Sequence, residues 1–322
     1  MASILGIHHV TAIAGEPQSN LDFYAGILGL RLVKLTVNYD DPGTYHLYYG
    51  DGQGHPGTIM TFFPWPNAFQ GRIGTGQLTV TSFAVPEKSF SYWKRHLGEN
   101  QVSFQEARTD FDEEMLFFTD PDGIQLELIS TPKANPTHVW ERGPVPTEYA
   151  IRGFHHVTLS ENGYEATASL LSGTLGFKFI QQQANRFRYA ASGGEAGTII
   201  DVVCAPEGRP GRVAVGTVHH VAWRTATDGE QVHFRETIKN LDYNVTPVID
   251  RIYFHSIYFR EPGGVLFEIA TDPPGFAVDE PVENLGTSLV LPKWLEPDRS
   301  QLEQELPPLR LPNLEGESDA AD

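Results

Sequence analysis

Three paired histidines, His8-His9-Val10, His155-His156-Val157 and His219-His220-Val221, lie in short apolar runs that begin just after a Gly or a Thr. A fourth run, Val265-Leu266-Phe267-Glu268-Ile269, encloses one carboxylate among apolar side chains. Two imidazoles and one carboxylate are the donor set of a non-haem iron site with open positions, and Mn(II) competes for the same donors. A lone histidine on an apolar strand is usually a satisfied core or surface residue. Pairs that recur at equivalent places in a repeat argue for a shared chemical role instead. Residues two apart in a strand share a face, which sets His9 with Thr11 and turns His8 away. His220 and Ala222 oppose His219 in the same way. If His9 and His220 line one cavity, Glu268 completes a facial triad and leaves positions open for water, substrate and dioxygen.

These side chains need strands to present them, and the chain supplies the strands in four related units. The first has a strand at Gly6–Ile13, a helix through Ser19–Leu30 stopped by Gly29, and strands at Arg31–Tyr39, Tyr45–Gly50 and Thr58–Phe63. The third repeats that order, and Leu28-Gly29-Leu30 and Leu175-Gly176-Phe177 are matched helix ends. The second and fourth carry helices from near Ser89 to Leu97 and from around Gly229 to Leu241. They close on Asp120-Pro121-Asp122-Gly123 and Glu261-Pro262-Gly263-Gly264 turns, each leading into a strand with a central glutamate, Glu127 or Glu268. Each unit therefore reads as βαβββ, and the fold class is α+β. The expected division is residues 1–131 (modules 1 and 2), a proline-rich linker 132–150, residues 151–295 (modules 3 and 4) and a tail 296–322. From Asn313 that tail is polar and acidic, and disorder is expected there.

The repeat, with histidines on first strands and a glutamate on a last strand, resembles the vicinal oxygen chelate superfamily. Four units in one chain resemble its extradiol ring-cleaving dioxygenases. Gly6-Ile7-His8-His9-Val10-Thr11, Thr44-Tyr45-His46-Leu47-Tyr48-Tyr49-Gly50-Asp51 and Val218-His219-His220-Val221-Ala222 are similar to the hydroquinone 1,2-dioxygenase branch, over nearly the whole chain to about Trp294. The resemblance implies four modules paired into two open, curved mixed β-sheet barrels. It implies Fe(II) held by His9, His220 and Glu268, and it chooses these from the three histidine pairs. It also implies roles around the metal for His8, Thr11, His219, Arg251 and Tyr258. Tyr258 and His219 are the candidate acid and base, and Arg251 the holder of developing negative charge. His8 is the weaker candidate because strand alternation turns it from the metal. The implied reaction is oxidative ring opening of a hydroquinone or catechol-like phenol with dioxygen.

The remaining pair points to a second, incomplete site. His156 and Glu127 form half of it, but unit two offers Leu78-Thr79 where another histidine would stand. Asp201 and Cys204 are not expected to supply the missing geometry. His46, His55 and His255 are further pocket candidates that read more simply as polar strand-end residues. A glyoxalase-type lyase or isomerase is the first competing function. It uses four protein ligands, whereas the unit-one equivalent of Glu268 is Thr61, counted from Gly57 as Glu268 is from Gly264. A metal-free binding or resistance protein of the same fold is the second, and it would have lost the donors present here.

Composition narrows the partners. A formal charge of −18 over 322 residues excludes attraction to nucleic acid or anionic lipid as the basis of function. No run approaches the roughly eighteen apolar residues of a membrane span. The start, Met-Ala-Ser-Ile-Leu-Gly-Ile, lacks a charged leader region, and the single Cys204 excludes an intrachain disulfide. The cytoplasm is the expected location, a small aromatic molecule and dioxygen the expected partners, and a homodimer the expected assembly.

Overall fold

The computed structural model describes residues 3–132, 134 and 138–312. Pro136 and the tail from Asn313, for which disorder is expected, lie outside the described residues. Four βαβββ modules follow one another. The first comprises β1 (Gly6–Ala14), α1 (Pro17–Leu21), β2 (Arg31–Asn38), β3 (Asp41–Gly50) and β4 (Ile59–Pro64). The second comprises β5 (Gln77–Val85), α2 (Phe90–Glu99), β6 (Phe104–Arg108), β7 (Glu114–Thr119) and β8 (Gln125–Ser130). The third comprises β9 (Phe154–Glu161), α3 (Glu165–Gly173), β10 (Lys178–Gln183), β11 (Arg186–Ala190) and β12 (Ile199–Cys204). The fourth comprises β13 (Thr217–Thr225), α4 (Asp228–Asn240), β14 (Ile249–Asp250), β15 (Phe254–Arg260) and β16 (Leu266–Pro274), and α5 (Arg299–Glu305) follows.

The sixteen strands form two eight-stranded mixed sheets, ordered β14-β15-β16-β13-β1-β4-β3-β2 and β10-β11-β12-β9-β5-β8-β7-β6. Each sheet takes one module from each linear half of the chain. Module 1 joins module 4 through the antiparallel β1–β13 pair, and module 2 joins module 3 through β5–β9. Modules 1 and 2 therefore lie in different sheets, as do modules 3 and 4, so residues 1–131 and 151–295 are stretches of sequence and not separate sheets. The physical reason lies in the first strands. Those of modules 1 and 3 have an edge free to pair antiparallel, and the partner that meets it belongs to the other half.

Every residue of β1 is buried, because helices cover one face of its sheet and the other face lines an interior cavity. Trp223 and Phe267 pack edge to face beneath α4, whose Phe234 and Ile238 are buried against the sheet. Thr227 caps α4 by accepting from Glu230 N, and the Glu230 carboxylate accepts in return from Ala226 N. The unit-one helix is shorter than expected, since α1 passes at Asp22 into π-helical turns that end at Ile27.

The described residues beyond β16, as far as Pro312, pack against the first module. Leu289 bridges Leu35 of β2, and Tyr45 of β3 donates to Pro307 O. Lys34 of β2 is fully buried and is met by the carboxylates of Asp279 and Glu280. This strap covers the outer face of β2 and β3, the strands that wall one side of the cavity.

Candidate metal centre

His9 on β1, His220 on β13 and Glu268 on β16 bring their donor atoms to one point. The Nε2 atoms of His9 and His220 are 3.3 Å apart, and Glu268 Oε2 lies 3.3 Å from the first and 2.9 Å from the second. Cis ligands of an octahedral ion with bonds of about 2.1 Å stand about 3 Å apart, so this spacing suits a facial triad. Glu268 Oε2 is buried and lacks a hydrogen-bond partner of proper geometry, as expected where lone pairs converge on a common centre. Its other oxygen accepts from Ser256 Oγ at 2.5 Å. Burial alone would raise the carboxyl pKa, but the adjacent His9 and His220 hold it well below the usual range. Burial lowers the His220 pKa, which keeps that imidazole neutral and available as a donor.

Register explains the convergence. Glu268 lies beside Ala222, two residues past His220, in the parallel β13–β16 pair. At the same place in module 1, Thr11 lies beside Thr61. Thr61 thus occupies the position of a second carboxylate, and no fourth charged donor enters the site from β4.

Strand alternation is interrupted at the histidine pairs: His219 lines the cavity, which corrects the expectation that it faces away, whereas His8 stays out of the lining. The β1–β13 ladder skips a residue at His8 and another at His219. A bulge re-aims consecutive side chains. His8 Nδ1 consequently lies 2.9 Å from His9 Nδ1, and His219 Nδ1 lies 2.8 Å from His220 Nδ1. Each triad histidine is held through Nδ1, which fixes its ring and leaves Nε2 for the centre. Burial drives the His8 pKa well below its ordinary value and the His219 pKa to about 3, so both remain neutral.

A cavity of about 340 Å³ opens over the triad. Thr11, His219, Arg251 and Tyr258 line it, whereas His8 does not; His8 supports His9 from behind. Burial, with Glu268 nearby, raises the Tyr258 pKa and keeps its hydroxyl protonated. Arg251 lies over the Tyr258 ring at 5.5 Å and donates to Asp40 Oδ2 at 3.1 Å, reaching across to module 1. His46, a pocket candidate that the sequence reads more simply as a polar strand-end residue, forms the opposite wall with Tyr48, which sequence reasoning did not single out. Tyr48 pairs with Thr61 as Tyr258 pairs with Glu268, so the repeat itself carried that signal. His55 instead bonds Asp51 and His255 bonds Asp228, both outside this cavity.

The second sheet holds the matching but altered arrangement. Its ladder sets Thr79-Val80, not Leu78-Thr79, where His219-His220 stand in the first sheet. Glu127 keeps the place of Glu268 beside Ser82, and Asp201 beside Thr158 takes the place of Thr61. Asp201 does reach His156, at 3.6 Å, contrary to expectation. It is claimed by Arg188, with bonds of 2.8 and 3.0 Å, and by Arg186 at 3.3 Å. Two guanidinium groups thus supply the positive charge that a cation would bring. Cys204 ends β12, is only half-buried and takes no part in this arrangement.

The Glyoxalase/Bleomycin resistance protein/Dioxygenase superfamily model matches residues 6–128 and 153–269. The chain is 48% identical over 311 residues to the "Putative ring-cleaving dioxygenase MhqO" of Bacillus subtilis (strain 168), covering 97% of this chain and 98% of that one. It is 37% identical over 305 residues to the chlorohydroquinone/hydroquinone 1,2-dioxygenase of Sphingobium indicum, covering 92% and 94%. A solved Bacillus subtilis structure with 47% identity superposes at a TM-score of 0.91 over 97% of this chain and 99% of that chain. The two matched segments span modules 1 and 2 and modules 3 and 4, and the chain belongs to the Glyoxalase/Bleomycin resistance protein/Dioxygenase superfamily.

Proposed function

We propose that this chain is an Fe(II)-dependent dioxygenase that opens the ring of a hydroquinone or catechol-like phenol, with Mn(II) as the competing metal. The reading is carried by one observation: His9, His220 and Glu268 converge at 2.9–3.3 Å beside a cavity of aromatic size, with Thr61 where a fourth donor would stand. The relatives named for hydroquinone and ring cleavage point to the same substrate class. A metal held by the triad would supply a site for phenolate and dioxygen together and an electron path between them.

The protein's own residues supply the rest. Phe254, which packs against His9 at 5.0 Å, and Phe63 give the cavity flat apolar walls suited to a benzene ring. Arg251 stays charged, since Tyr258 and Asp40 outweigh the effect of burial, and it is placed to hold negative charge on a bound oxygen. Tyr258 stays protonated and can donate to that oxygen. His219 is neutral and lines the cavity, where it can accept a hydrogen bond from a substrate hydroxyl. The four-ligand arrangement of a lyase or isomerase is disfavoured by Thr61.

Oxygen uptake with Fe(II) and a panel of hydroquinones and catechols tests the reading. Hydroquinone-dependent uptake is expected in the native chain and should be lost in His9→Ala and Glu268→Gln. Full activity in either folded variant would refute the triad.

A further inference from the structure

The wall opposite Tyr258 holds an unbroken line of hydrogen-bonded side chains that the reading above leaves unused. Thr11 Oγ1 lies 3.0 Å from Thr61 Oγ1, Thr61 Oγ1 lies 2.8 Å from His46 Nε2, and His46 Nδ1 lies 2.8 Å from Tyr48 Oη. Thr61 is fully buried, while Thr11, His46 and Tyr48 line the cavity, so the line leaves the cavity beside the triad and returns to it. On the Tyr258 side, the corresponding polar contact is Ser256 to Glu268 and serves a triad residue. On this side, the paired positions have become Thr61 and His46, with no metal-donor carboxylate to serve.

We propose that Thr11, Thr61, His46 and Tyr48 form a proton relay that takes the proton lost by the substrate hydroxyl and later returns one to the opened product. The inference rests on the ring-opening function proposed above. Ring opening of that kind adds two oxygen atoms and no hydrogen, so a proton removed at the start must come back before release. In the outward pass the substrate O–H bond breaks, and its electron pair stays on oxygen. That proton bonds to Thr11 Oγ1 while the Thr11 proton moves to Thr61 and the Thr61 proton to His46 Nε2. The His46 Nδ1 proton moves to Tyr48, and the Tyr48 proton passes to cavity water. Every relay residue ends neutral with its hydrogen count unchanged. His46 has exchanged its Nδ1–H form for its Nε2–H form, and the return pass restores the first.

Burial supports passage over storage. It holds the His46 pKa far below its ordinary value and the Tyr48 pKa well above its own, so neither residue keeps an extra charge. His46 is packed between the rings of Tyr48 at 3.9 Å and Phe63 at 4.3 Å, which fixes both nitrogens on their partners.

Thr61→Val breaks the line at a residue that does not line the cavity, and Tyr48→Phe cuts its far end at little cost in shape. With Fe(II) and hydroquinone, each is expected to lower kcat at least about tenfold while KM moves less than about threefold. The proton inventory in mixed light and heavy water should be curved for the native chain and linear for Thr61→Val. A readout independent of turnover is histidine 15N NMR on the metal-free chain, where His46 should be neutral with one proton fixed on one nitrogen. Native kcat with a curved inventory in both variants would overturn the relay and leave the ring-opening reading standing, as would a His46 ring that carries protons on both nitrogens. A native chain that consumes no oxygen with any phenol would overturn the reading and the relay together.

Discussion

At the residue scale, the triad side chains owe their aim to the neighbours that hold them. Ser256 holds Glu268 through one oxygen and leaves the other for the centre, while His8 and His219 take the Nδ1 atoms of His9 and His220. Outer partners of this kind are worth roughly 10–100-fold in metal affinity. Ser256→Ala and His8→Leu are therefore expected to weaken Fe(II) or Mn(II) binding by about that factor. Activity per bound metal should change much less, because neither residue lines the cavity. Anaerobic metal titration followed by oxygen uptake at saturating metal checks both points, and unchanged affinity would show that the supports do not orient the ligands. The repeat made the paired histidines and Glu268 candidates in the sequence, and the family resemblance chose His9 and His220 among the pairs. The direction of His219 was not legible, since a bulge depends on the partner strand and leaves no mark in local spacing.

At the element scale, two sheets of the same ancestry of parts differ in what fills their centres. The first presents two imidazoles and a carboxylate; the second presents His156, Glu127 and Asp201, with Arg186 and Arg188 between them. One metal ion per chain is the expected stoichiometry, measured by elemental analysis after anaerobic loading. Two tightly held ions would contradict the account of the second sheet. The strap over β2 and β3 is a further element whose role is physical. Lys34 has no water to solvate its ammonium and depends on Asp279 and Glu280. Removing the charges that pair a buried ion costs about 3–5 kcal/mol, so the double variant Asp279→Asn, Glu280→Gln should lose stability on that scale in urea unfolding. Gly286 holds the same strap at φ +76, where an added Cβ would meet Leu32 O at 1.8 Å. Neither contact was foreseeable, because their partners lie some 250 residues apart in sequence.

At the scale of the whole molecule, the protein buries an unusual amount of neutral imidazole. Burial holds His8, His46 and His156 well below 6.5, His220 below it, His155 at about 4 and His219 at about 3. Each folded pKa is depressed, so the unfolded chain binds these protons first. The stability they contribute is complete above pH 6.5 and is lost as pH falls from there towards the folded values. Each can cost up to about 1.4 kcal/mol per pH unit within its window. Glu268, also depressed, adds a loss of the same sign below 4.5. Buried Asp120 and Glu161, raised by burial to about 7 and about 8, act with the opposite sign, so the histidine contribution is read by difference. In chelator-treated protein the loss of urea midpoint between pH 6.5 and 4 should be smaller in His156→Asn than in the native chain, and an identical pH slope would contradict the burial. The sequence by itself determined the module count, the helices of modules 2 to 4 and the strand that bears each donor, because those follow from local periodicity. Only the tertiary structure decided that module 1 pairs with module 4, that the histidine pairs sit on bulges, and that His46 and Tyr48 wall the cavity. Pairing across sequence distance is a competition between edges and faces of equal local quality, and only the assembled sheet resolves it.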